Sequence, residues 1–91
     1  MSKAHELKTW PDYFQAIKDG AKTFEIRKAD RDYQVEDALL LKEWDPETEK
    51  YTKRQLVVFV TYVLSWVAFG GLAEGYVCLG IVRTPPIMPK G

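Results

Sequence analysis

Gly20-Ala21-Lys22-Thr23-Phe24-Glu25-Ile26-Arg27 joins the end of a short amphipathic helix to the start of a strand. Glycine at the junction supplies the left-handed residue on which helices commonly end. Side chains alternate along a strand, so Phe24 and Ile26 share one face while Thr23, Glu25 and Arg27 share the other. A carboxylate and a guanidinium on one face, with Lys22 at the mouth of the strand, allow two readings. One is a solvated edge strand with salt-bridging charges. The other is the polar floor of a cleft that recognises something anionic or hydrogen-bonding.

On the N-terminal side, Trp10, Tyr13, Phe14 and Ile17 fall at i, i+3, i+4 and i+7, the spacing of one helical face. Thr9 with Asp12 predicts a capping box, and Pro11 suits a first turn, where its missing N–H costs nothing. The predicted helix is about three turns long at ~3.6 residues per turn. Residues 4–8 read as a short strand with Leu7 buried, and His5 reads as polar surface. On the C-terminal side, a strand over 22–28 leads to a polar loop over 29–32, where Asp30 and Asp32 bracket Arg31 and are expected to hold it. Next come a strand over 38–44, a turn over 45–50 and a long strand over 54–64 rich in Val, Tyr, Phe and Thr. A glycine-containing loop over 65–75 carries Trp66 and Phe69, and a last strand covers 76–82. Leu39, Leu40 and Leu41 put apolar groups on both faces of the third strand, which fits a closed barrel better than a one-sided sheet. General aromatic burial favours core or rim positions for Trp44 and Trp66 over stacking platforms. The pattern predicts an α+β, mainly β fold: a small β-barrel of about five strands with one N-terminal helix packed at the barrel opening.

With 91 residues the chain is read as one domain, 1–84, followed by a Pro-rich tail, 85–91, containing Pro85, Pro86 and Pro89. Hydrophobic residues make up 46% and charged residues 29%, which argues against disorder. Lys plus Arg (13) balances Asp plus Glu (13), so any nucleic-acid surface has to be a local basic patch. The single Cys78 lies in an apolar run and is expected to be a buried thiol. One Cys and one His make no zinc ligand set, the GxxxxGK phosphate loop is absent, and no cofactor is predicted. The N-terminus carries no apolar signal segment, and the run over 56–69 is shorter than the ~20 apolar residues a bilayer requires. The expectation is a soluble, cytoplasmic monomer.

Gly20-x-Lys22-x-x-Glu25-x-Arg27 after a short helix resembles the GxKxxExR signature of ASCH domains, members of the PUA-like superfamily of small RNA-associated barrels. The resemblance extends to His5-x-Leu7-Lys8-Thr9-Trp10, Phe24-Glu25-Ile26-Arg27-Lys28, Asp30-Arg31, Leu41-x-Glu43-Trp44-Asp45-Pro46, Tyr51-Thr52 and Gly75-Tyr76-Val77-x-Leu79-Gly80. These are similar to a compact bacterial and phage subfamily of ASCH-like proteins of unknown function, and the likeness covers residues 5 to about 82. It implies a PUA-like barrel with a cleft between the first helix and the motif strand, and RNA or a modified nucleoside or nucleotide as ligand. Where the subfamily has glycines, this chain has Glu36 and Lys53, so both are expected at turns of positive φ.

Three functions stay open at this point. The first is an RNA- or nucleotide-binding module using Lys8, Lys22, Glu25, Arg27, Lys28, Arg31 and Trp66, with arginine as the forked donor and the lysines as phosphate contacts. The second is a hydrolase, resembling the acetylated-cytidine amidohydrolases or the RNA-cutting relatives, in which Lys22 and Glu25 are catalytic. Glu25 stands where the amidohydrolase group has its threonine, and Glu43 and Glu74 are candidates for that group's distal glutamate. The third is a protein-interaction module built on the Pro-rich tail or the aromatic loop.

Overall fold

The computed structural model describes residues 2–84, so the predicted tail lies outside the described residues. Six elements follow one another: β1 (Ala4–Thr9), α1 (Pro11–Lys18), β2 (Phe24–Lys28), β3 (Ala38–Asp45), β4 (Lys50–Ser65) and β5 (Tyr76–Val82). The predicted order of elements is the observed one. The strands form a single sheet in the order β1-β3-β4-β5-β2, with β1 parallel to β3 and the other pairs antiparallel. The sheet curls into a half-barrel and does not close: β1 and β2 are its two edges.

The core lies on the concave face. Alternation places Leu7, Leu39, Leu41, Leu56, Val58, Val60, Val77, Leu79 and Ile81 there, and Phe14 and Ile17 of α1 cover it. Register explains the layering: Leu39 sits opposite Val58, Leu41 opposite Leu56, and Val60 opposite Ile81. The outer positions of β3 are half-buried, which is the two-sided apolar pattern read from its leucines.

α1 departs from expectation in three ways. It has eight residues, closer to two turns than three. Its N-cap is Trp10 with no side-chain cap, so the Thr9–Asp12 capping box does not form; Thr9 instead turns its hydroxyl to Arg27. A helix this short buries only Phe14 and Ile17, leaving Trp10 and Tyr13 exposed. Gly20 has φ +82°, the left-handed residue expected after the helix. Ala21 and Lys22 N–H both donate to Ala16 O at 3.0 Å, closing the turn that delivers Lys22 to the foot of β2.

The two turn residues foreseen at positive φ have it: Glu36 at 79° and Lys53 at 76°. Lys53 lies where the β3–β4 register shifts between Lys42 and Trp44, a bulge that sets three residues of β4 against Glu43. Arg31 is not held by its flanking aspartates: Asp32 accepts from Gln34, and Arg31 Nη1 donates to Glu6 O at 3.1 Å. His5 is buried, not polar surface, and Cys78 is half-buried. Of the two aromatics in the 65–75 loop, Trp66 is half-buried and Phe69 is exposed. No helix among the described residues is long and apolar enough to cross a membrane.

Candidate functional site

β2 presents its polar face inward. Glu25, only 4% exposed, lies opposite Leu79 on the concave side, whereas Phe24 and Ile26 point outward with Ile26 51% exposed. A carboxylate in that position needs partners, because burying an unpaired charge costs far more than a hydrogen bond returns. It has two cations. Lys22 Nζ meets Glu25 Oε1 and also donates to Phe24 O at 2.7 Å. Arg27 approaches Oε2 with Nε at 3.0 Å and Nη2 at 2.9 Å.

Arg27 does more than neutralise Glu25. Its Nη2 donates to Lys8 O at 2.8 Å and to Thr9 Oγ1 at 3.3 Å, so one guanidinium spans the gap between the edge strands β2 and β1. No described residue bonds to its Nη1. Around this bridge lies a cleft of about 350 Å³ lined by Lys8, Thr9, Trp10, Tyr13, Glu25, Ile26 and Arg27. Its walls are aromatic: Trp10 and Tyr13 are each more than half exposed, and Lys22 Nζ lies 5.4 Å from the Tyr13 ring centroid and 4.9 Å from that of Phe24. Lys8 Nζ sits 4.2 Å above the Trp44 ring.

The structure thus gathers Lys8, Glu25 and Arg27 around one cleft, and Lys22 meets Glu25 from the adjoining hollow it lines with Tyr13, Phe24 and Ile26. Lys28 and Arg31 lie beyond Arg27 along the same seam. Trp66 does not line the cleft; it follows the far end of β4, half-buried, with its backbone N–H donating to Tyr76 O. The helical spacing groups Trp10 and Tyr13 with Phe14 and Ile17 on one face and does not mark them as cleft walls. A helix of eight residues beginning at Pro11 has room for few inward positions, and Phe14 and Ile17 fill them.

Two other carboxylates, Glu43 and Asp37, are buried. Glu43 accepts from Thr52 Oγ1 (2.6 Å), Arg54 Nε (3.0 Å) and Arg54 Nη2 (3.0 Å). The hydrogen bonds from Arg54, aided by Thr52 and outweighing desolvation, hold the Glu43 carboxyl below the usual carboxylate range. Arg54 also reaches Gln15 Oε1 of α1 and lies 4.8 Å over the Phe14 ring, tying the helix to the sheet. Asp37 takes His5 Nε2 (2.8 Å), Lys3 N–H (2.8 Å) and Gln34 N–H (2.9 Å). Desolvation alone would raise the Asp37 carboxyl, but these bonds together outweigh it and hold it low. Burial pushes the Tyr33 hydroxyl up, against the opposing pull of Arg31 and Arg27. Glu74, the other distal-glutamate candidate, is exposed in the 66–75 loop. Among the described residues no buried side-chain nitrogen or oxygen lacks a partner, and no cluster of three metal-ligand types occurs.

Residues 4–81 match the profile of a protein family described as "Domain of unknown function (DUF3850)". The chain belongs to the DUF3850 family. The match runs from the first residue of β1 nearly to the end of β5, so the whole half-barrel, its helix and its cleft are the DUF3850 unit. A curated relative from Escherichia phage P2, described as "Uncharacterized 12.9 kDa protein in GpA 3'region", is 46% identical over 44 residues. That alignment takes in 48% of this DUF3850 chain and 40% of the phage protein, so the chain spans well under two thirds of its relative's length.

Proposed function

We propose that this DUF3850 domain is a PUA-like, ASCH-type module that binds RNA or a nucleotide in the cleft between α1 and β2. The supporting observation is the charge balance at the cleft floor: two cations, Lys22 and Arg27, share the single carboxylate of Glu25. The cluster keeps a net positive charge in a partly enclosed place where water screens it weakly. An anion or an acceptor-rich base edge is the natural complement, and the exposed faces of Trp10 and Tyr13 offer stacking surface beside it. Arg27 is already fixed by Glu25, Lys8 O and Thr9, so a guest gains its contact without ordering a free side chain.

The pairing of Lys22 favours binding over the hydrolase alternative. Its Nζ donates to Glu25 and to Phe24 O and lies beside two aromatic rings, surroundings that suit an ammonium ion holding its place. A nucleophilic lysine needs a free lone pair.

The test is fluorescence anisotropy with labelled single-stranded RNA oligomers at low salt. Binding is expected, weakening with salt by a slope of about −0.7 per phosphate contacted. Arg27→Ala is expected to weaken it roughly tenfold, in keeping with loss of a charge-assisted contact. Absence of binding by the wild-type protein at low salt rejects the proposal.

A further inference from the structure

The gap between β1 and β2 continues past Arg27. On the far side lies a second cleft of about 190 Å³, lined by Leu7, Arg27, Lys28, Asp30, Arg31 and Tyr33. Arg27 belongs to the walls of both clefts, so they are two compartments of one seam. Their chemistry differs. The first has aromatic and apolar walls from Trp10, Tyr13 and Ile26; the second has three cations, Arg27, Lys28 and Arg31, against the one carboxylate of Asp30.

The spacing of the cations is set by the backbone. Arg27 Nη2 docks on Lys8 O and Arg31 Nη1 on Glu6 O, carbonyls two residues apart along the unpaired edge of β1. At about 3.3 Å per strand residue those anchors lie some 6–7 Å apart, comparable with the phosphate repeat of an extended single strand. Each arginine spends only part of its donor fork on the carbonyl. Lys28 makes no hydrogen bond or ion pair with any described side chain.

Resting on the function proposed above, we infer that the seam is a two-part track for a phosphate-bearing single strand: a base lodges against Trp10 and Tyr13, Arg27 marks the crossing, and the adjoining phosphate lies on Lys28 and Arg31. The ligand class is therefore a nucleotide or oligonucleotide and not an unphosphorylated nucleoside.

NMR titrations of the whole chain with uridine, uridine 3′-monophosphate and a uridine tetranucleotide test this. The monophosphate is expected to bind about tenfold tighter than uridine and to shift the Lys28 and Arg31 amides, which uridine leaves in place. In Lys28→Ala/Arg31→Ala the affinity ratio of monophosphate to nucleoside is expected to fall to about one. Because Arg31 anchors the loop to β1, Lys28→Glu supplies a second variant that leaves the anchor whole and lowers the same ratio. Equal affinities for uridine and its monophosphate, or a ratio that survives both variants, overturn the two-part track while leaving the base-binding cleft standing. If none of the three ligands binds, the track falls together with the function on which it rests.

Discussion

Glu43 on β3 and Glu25 on β2 are both buried on the concave face and both met by an arginine, yet they are built for different ends. Arg54 meets Glu43 side-on, one nitrogen to each oxygen, and Thr52 adds a neutral hydroxyl. The charges cancel one for one, and the arginine runs on to Gln15 and the Phe14 ring. That cluster is a strut between helix and sheet. Glu25 is divided between two cations, is left in charge excess, and opens on a cleft. A buried carboxylate with one arginine is therefore no sign of a site by itself; the count of cations and the space beside them separate support from recognition.

The comparison can be broken most severely at its structural side. Phe14→Ala removes the ring beneath Arg54 and one of the two anchors of α1, and is expected to cost about 3–5 kcal/mol in chemical denaturation. Glu43→Gln leaves the Arg54 fork facing a neutral amide. Its expected cost is about 1–3 kcal/mol, with amide shifts at residues 22–27 unchanged. Glu25→Gln should cost a comparable amount, about 1–3 kcal/mol, because Lys22 and Arg27, with side chains only 17% and 22% exposed, lose their shared anion, and it should tighten binding of anions. Anion binding unchanged in Glu25→Gln, or tightened equally in Glu43→Gln, would erase the distinction between strut and site.

Acid sharpens the same contrast. The Glu43 and Asp37 carboxyls are both held below their ordinary values in the folded protein. Their contribution is present in full above the unfolded-state values near ~4 and is lost as pH falls through the lower folded-state values. Thermal stability should therefore drop below about pH 4, and Glu43→Gln should flatten part of that drop. A stability curve level from pH 7 to pH 3 would contradict the hydrogen-bonding assigned to both groups.

The smallest expected effect concerns the bulge that brings Thr52 and Arg54 together at Glu43. Lys53 holds φ 76°, so Lys53→Gly should relieve strain and stabilise the protein by about 0.5–1 kcal/mol. A loss of stability instead would mean that the lysine side chain itself supports the strut.

The sheet was legible because alternation and turn residues are local signals: the last strand is bounded in the sequence as in the fold, whereas the left-handed turns at Glu36 and Lys53 are expected only from the glycines of the subfamily that this chain resembles. The open seam was not, since the Leu39–Leu41 pattern reports two covered faces and says nothing of whether the edges meet. Non-local partners were equally silent. His5 reads as terminal polar surface until Asp37, 32 positions away, is brought beside it. Thr9 reads as a helix cap until Arg27 claims its hydroxyl. Within the cleft, the charges on β2 could be read from alternation, but Trp10 and Tyr13 could not be told from Phe14 and Ile17, because helical spacing gives a face without saying how far the helix runs.

The most direct measurement is chemical-shift mapping of the wild-type chain with a short single-stranded RNA at low salt. The charge balance at Glu25 predicts shifts at Lys8, Thr9, Trp10, Tyr13, Glu25 and Arg27, with Glu43, Thr52 and Arg54 left in place. Shifts centred on the Glu43 cluster, or no shifts anywhere, would contradict it.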